Sequence, residues 1–133
     1  MNKRVLTDEQ IDIFKEVGIA RIATSSKAGV PHCTTIQPSR ISHNEIIIPI
    51  IQMVRTVNNI KENPNAFLLY YKEDPNDYEN NTQFKINASA KIYESGKLFK
   101  EIKEYEEREN LPEGFYVNGI VVLTLKDVEV CVG

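Results

Sequence analysis

Between Phe84 and Tyr93 the chain alternates apolar and polar residues without a break. Phe84, Ile86, Ala88, Ala90 and Ile92 fall on one side, and Lys85, Asn87, Ser89 and Lys91 on the other. Side chains of a strand point to opposite faces in turn, so this stretch folds as a strand with one face buried and one not. Such a strand needs neighbours, and short apolar runs supply them: Ile19–Ser25, Pro31–Ile36, Glu45–Ile51 and Ala66–Lys72. A last strand pair runs from Asn118 to Leu125 and from Val128 to Val132; one continuous strand with a bend is an equal reading. Short turns join these runs, so the sheet is expected to be mostly antiparallel. About six strands in 133 residues fit a single domain, 1–133, of mainly β class, a six-stranded antiparallel split barrel with flanking helices.

Three helices punctuate the strands. Thr7 and Gln10 form a capping box, Leu6 and Ile11 a hydrophobic staple, and Ile11, Phe14 and Val17 one apolar stripe that Gly18 ends. A short helix from Thr56 to Glu62 stops at Asn63-Pro64, because the residue before proline avoids the α region. Ser95 caps a third helix reaching Asn110, with Leu98, Ile102 and Tyr105 inward and the charged stretch Lys97–Arg108 solvated. Pro38, Ser39 and Arg40 interrupt the second strand, and Pro49 places the end of its own strand at an edge or a bend. Glu73–Thr82 has no apolar period and reads as a mobile surface loop.

Several functions are excluded at this level. The net charge of -3 and scattered basic residues do not make a nucleic-acid surface. The longest apolar run, Ile46–Ile51, contains Pro49 and is too short to span a bilayer, and the N-terminus lacks a signal core, so a cytoplasmic chain is expected. Cys33 and Cys131 do not make a disulfide framework, and His32 and His43 do not form a metal site. No phosphate-loop, dinucleotide-fold or hydrolase-elbow motif occurs. With no obvious acid, base or nucleophile, any chemistry is expected to come from a cofactor.

One place could hold an anion. Val54-Arg55-Thr56-Val57 stands where an apolar strand hands over to a helix. The first helical turn exposes unpaired N–H groups, and a guanidinium grips phosphate in bidentate fashion. Residue chemistry alone leaves a second reading open, and it is the commoner arrangement: Thr56 caps the helix and Arg55 is solvated.

The order of these pieces resembles a known family. Ala20-Arg21-Ile22-Ala23-Thr24-Ser25, Gly29-Val30-Pro31-His32, Ile46-Ile47-Ile48, Arg55–Ile60, Glu62-Asn63-Pro64 and Ala66–Tyr70 follow one another as in the pyridoxamine 5′-phosphate oxidase-like, FMN-binding split-barrel superfamily. A looser likeness continues through Gln83–Ala88. The resemblance implies a homodimer with FMN in a groove between subunits, FAD, deazaflavin or haem being the alternatives. It assigns the phosphate to Arg55 and Thr56, with Asn58 in the same segment. Thr34, Thr35, Ile36 and Gln37, with Ser39 beyond them, lie along the ring. Ile50 and its neighbours line the ring through backbone atoms, and Gln83 reaches the phosphate or ribityl side. It names no catalytic residue.

The departures from the family pattern matter. Thr34 and Ser39 stand where family oxidases place arginine and lysine, Val54 replaces a serine, and Thr56 a lysine. The family's long C-terminal substrate-binding segment has no room here. The resemblance therefore implies a short flavin or nitro-group reductase, or a stress-related flavoprotein, acting on a small-molecule acceptor, rather than a true pyridoxamine phosphate oxidase. A binding or sensing module, and a barrel that has lost its ligand, remain the competing readings.

Overall fold

The first helix, α1 (Asp8–Val17), is built as its punctuation requires. Thr7 Oγ1 accepts the Gln10 N–H, Gln10 Oε1 accepts the Thr7 N–H, and Gly18 turns the chain at φ 80°. The structure, a computed structural model, describes residues 3–132. Phe14 is fully buried and stacks on Tyr70 at 4.0 Å between ring centres, with Phe84 edge-on at 5.2 Å. Leu6 and Ile11 bury beside it, so α1 packs into the main core. Burying one such aromatic contributes roughly 1.5–3 kcal/mol.

Strands β1 (Ala20–Ser25) and β2 (Pro31–Ile36) form a hairpin, turned at Gly29 with φ 88°. Strand β3 is only Arg40–Ile41, and β4 is Glu45–Ile50. After α2 (Val54–Glu62) come β5 (Asn65–Lys72) and β6 (Thr82–Tyr93). Helix α3 (Lys97–Glu109) and β7 (Gly119–Val132) complete the chain. All pairings are antiparallel, in the order β2-β1-β5-β6-β7-β4-β3. This is the split-barrel fold. It has seven strands rather than six because the two-residue β3, expected only as an interruption, pairs with Ile46 and Ile47.

The alternation from Phe84 to Ile92 turns its apolar face inward, with Phe84, Ile86, Ala88 and Ala90 buried. The last strand is continuous, and its bend is a bulge. Asn87 pairs with Asp127 but Ala88 pairs with Leu125, which leaves Lys126 over. Pro49 pairs with Ile120 of β7 on one side. On the other it lies past the reach of β3, so its missing N–H costs no ladder bond.

Two helix starts differ from expectation. Helix α2 begins at Val54, two residues early, with Met53 at the cap position and no side-chain cap bond. Helix α3 is preceded by Gly96, and Ser95 does not cap it. Its inner stripe also differs, for Tyr105 is 47% exposed while Glu106 is buried. The surface loop after β5 carries its own side-chain hydrogen bonds. Asn81 Oδ1 accepts the Asp74 N–H at 2.6 Å, Asp74 Oδ1 accepts the Asn76 N–H, and Asp77 caps a single 3-10 turn at Tyr78–Asn80.

Ile46, Ile48 and Ile50 of β4 enter the main core, while Ile47 joins Ile102, Ile120 and Val122 in a second cluster beneath α3. Helix α3 therefore lies across the outside of β4 and β7. No helix among the described residues is long and apolar enough to cross a membrane.

Candidate functional site

A cavity of about 470 Å³ opens where three elements meet. One wall is the end of β2 and its link to β3: Thr35, Ile36, Gln37, Pro38 and Ser39. A second is the unpaired edge of β4 and the turn beyond it: Ile48, Pro49, Ile51 and Met53. The third is the C-terminal half of α3 with its exit: Tyr105, Glu106, Asn110 and Leu111. The volume is within the range of small-molecule sites. The end of β2 and the free edge of β4 give it backbone groups that no strand covers. Its lining contains no histidine or cysteine.

The turn from β4 into α2 carries the one positive-φ residue other than glycine among the described residues, Gln52 at φ 56°. Left-handed backbone at such a residue costs about 1–2 kcal/mol and is often found at functional sites. Here it swings the chain so that Met53 lines the cavity and α2 starts immediately behind it. The first turn of α2 holds no acidic residue and has no side-chain cap. Arg55, its second residue, is exposed and forms no ion pair among the described residues. This end of the helix suits an anion.

Helix α2 is stapled to β1 from its middle onward. Asn59 Nδ2 donates to Thr24 Oγ1 at 3.1 Å in a buried setting, Asn63 Nδ2 donates to Ser25 Oγ at 2.9 Å, and Glu62 accepts the Lys27 N–H at 3.0 Å. These bonds fix the helix axis, and so the direction in which its first turn points.

The sequence-predicted residues are only partly gathered. Thr35, Ile36, Gln37 and Ser39 line the cavity together. Thr34, which pairs with Ile22 on β1, does not line it. Ile50 and Asn58 line a neighbouring hollow of about 200 Å³ that shares Met53 with the cavity. Thr56 is 1% exposed and is the third residue of α2, so it is neither the helix cap nor an open ligand, whereas Arg55 beside it is open. Gln83 sits between Tyr71 and Cys131 in the sheet and lines no cavity with the others. A single chain does not bring it to the rest.

Sequence reasoning missed Glu106. It is the only charged side chain buried among the described residues, and it faces the cavity. Its Oε1 accepts the Ser39 hydroxyl at 2.7 Å and its Oε2 accepts from Asn110 Nδ2 at 3.0 Å. Spacing held the signal, since Leu98, Ile102 and Glu106 recur every four residues on one stripe. The charged run around it concealed that.

Residues 6–129 match the family model described as pyridoxamine 5′-phosphate oxidase. No curated protein matches the chain. Among solved structures, HupZ from Group A Streptococcus is similar with a TM-score of 0.76 at 14% identity, over 92% of this chain and 91% of that one. An FMN-binding protein from Syntrophomonas wolfei gives 0.71 at 16% identity, over 84% and 75%. HutZ, the haem storage protein from Vibrio cholerae, gives 0.69 at 15% identity, over 98% and 95%. At these identities the likeness is one of fold.

Proposed function

The chain belongs to the pyridoxamine 5′-phosphate oxidase family, and we propose that it is a flavin-binding member that holds FMN and passes electrons to a small-molecule acceptor. The observation that carries this reading is continuity. The cavity between β2, β4 and α3 reaches Met53, the residue before α2, and a smaller hollow that shares Met53 continues past Val54 and Asn58 with Glu94 on its far side. Arg55, in the first turn of α2, forms no ion pair among the described residues, and that turn holds no acidic residue of its own. A flat ring with a phosphate at the end of a chain needs those two features side by side. Arg55 and the N–H groups of that turn would hold the phosphate. The backbone around Gln37 and Pro49 would meet the ring. A bound flavin supplies the two-electron chemistry that these side chains lack.

The barrel would work as a homodimer. Its outer sheet face carries Arg21, Leu69 and Lys85 in register, with Ala23, Phe67 and Asn87 beside them. Leu69 and Phe67 are half-buried apolar side chains on that face. Gln83 lies on the same face, two residues from Lys85, so a second subunit docked there would bring its Gln83 toward a site that one chain leaves without it.

The haem storage protein of similar fold supplies the second reading, a haem module. The cavity lining offers no histidine or cysteine; Met53 and Tyr105 are the side chains in it of a type that ligates haem iron. Purification without added cofactor, followed by the absorbance spectrum and mass of whatever is bound, tests the proposal. FMN bands are expected; a haem Soret band would overturn it. Arg55→Ala should weaken FMN binding by about 10- to 100-fold, the loss of one charge-assisted phosphate contact.

A further inference from the structure

We propose that Glu106 is the residue that sets the charge preference of the cavity, favouring a neutral ring over its anionic reduced form; this rests on the flavin reading above. Glu106 lies on the wall formed by α3, is 8% exposed, and forms no ion pair among the described residues. The two cations of α3 nearest to it in sequence are engaged elsewhere. Lys103 is bound to Glu107 and to the Val117 carbonyl, and Arg108 to Glu109. Arg40, on the strand that follows Ser39, is bound to Glu101.

The hydrogen bonds around Glu106 fix its role. Ser39 and Asn110 both donate to it, so the carboxylate acts as acceptor only. Ser39 spends its single proton on Oε1 and keeps only lone pairs for the cavity. That corner therefore presents acceptors and a negative charge, shielded from water by the fold. A ring edge with N–H groups is favoured there, and an added negative charge is opposed. Reduced flavin ionises near neutrality, so at mildly alkaline pH it carries a charge that the oxidised ring lacks. The wall containing Glu106 should thus hold oxidised FMN more tightly than reduced FMN, which lowers the potential of the bound flavin.

The test titrates oxidised FMN and dithionite-reduced FMN, anaerobically at mildly alkaline pH, into wild-type protein and Glu106→Gln. Glutamine keeps the size and can still accept from Ser39. Wild type is expected to bind the oxidised form at least about tenfold more tightly than the reduced form, and the substitution to shrink that ratio by about tenfold. The midpoint potential of the bound flavin should rise in the variant. A folded Glu106→Gln protein that retains the wild-type ratio would overturn the assignment. So would wild-type protein with equal affinity for both forms, and that second measurement decides the matter if the variant does not fold. Wild type that binds FMN without preference overturns Glu106 alone. Wild type that binds neither form overturns the flavin reading as well.

Discussion

Asn59 ties α2 to β1 through a buried hydrogen bond, and its replacement can be worked through in numbers. Its Nδ2 donates to Thr24 Oγ1 at 3.1 Å, with Asn59 7% and Thr24 5% exposed. Neither side chain has another hydrogen bond to a described side chain that could compensate. Asn59→Ala removes the bond, a net loss of about 1 kcal/mol, and leaves the Thr24 hydroxyl buried without a donor, a further ~1–3 kcal/mol. The expected total is about 2–4 kcal/mol, a large share of the roughly 5–15 kcal/mol that holds a domain together. For a chain of this length each kcal/mol lowers the melting temperature by about 3–4 °C. The double variant Asn59→Leu with Thr24→Val removes donor and acceptor together and fills similar space. It should recover to within about 1 kcal/mol of wild type, giving a coupling energy of ~1–3 kcal/mol. The chain has no tryptophan, so urea unfolding is best followed by far-UV circular dichroism, with the slope checked for constancy. A cost under about 1 kcal/mol for Asn59→Ala, or a double variant no better than the single ones, would refute the reasoning. Because the bond orients the helix that starts at Val54, FMN affinity should also fall in Asn59→Ala while Asn63 and Glu62 still anchor the far end of the helix.

Two further outcomes follow from other buried or clasped groups. Tyr70 is fully buried, its hydroxyl has no partner among the described protein groups, and burial pushes its ionisation well above the usual tyrosine range, so it stays neutral. Tyr70→Phe keeps the stack on Phe14 and is expected to raise stability by about 1 kcal/mol; a lower melting temperature would show that the hydroxyl is satisfied in solution. The Lys103 ammonium, and next the Val117 N–H, hold the Glu107 carboxyl below its ordinary range. A carboxyl lowered by folding stabilises above its ordinary value and loses that contribution as pH falls through the lowered one. Thermal melts of wild type and Glu107→Gln should therefore differ near neutral pH and converge in acid, and a gap that persists in acid would count against the clasp.

Much of the barrel is legible because its signals are local. The period of two between Phe84 and Ile92 depends only on neighbouring residues, and the pleat turns those residues inward. Thr7, Gln10 and Gly18 mark α1 in the same way, since each acts within one turn of itself. Helix α2 lacks such marks at its start. Met53 caps nothing with its side chain, and the turn is made by Gln52 at a positive φ that no sequence rule assigns to glutamine. Local rules therefore start the helix two residues late and give Thr56 an exposure it does not have. Strand β3 is too short to show a period at all.

The site is half legible for a related reason. Thr35, Ile36, Gln37 and Ser39 come together because they are consecutive or nearly so, and one backbone path carries all of them to the cavity. Glu106 reaches the same cavity from 67 residues away, and nothing near it in sequence says that it will. What decides it is a patch of the sheet. Ile47, Ile120 and Val122 turn outward from β4 and β7, and this second apolar cluster needs a cover. Ile102 supplies that cover, which lays α3 across β4 and β7. The residue one turn further along the buried stripe then falls beside Ser39. An apolar patch on the outside of the barrel thus determines which of the many acidic residues of α3 faces the cavity. The same geometry puts the carboxylate close to where family oxidases carry a lysine. The charge at that corner is therefore opposite to that of the family's lysine, and the cavity should be judged by its behaviour toward reduced and oxidised ligands rather than by the family's reaction.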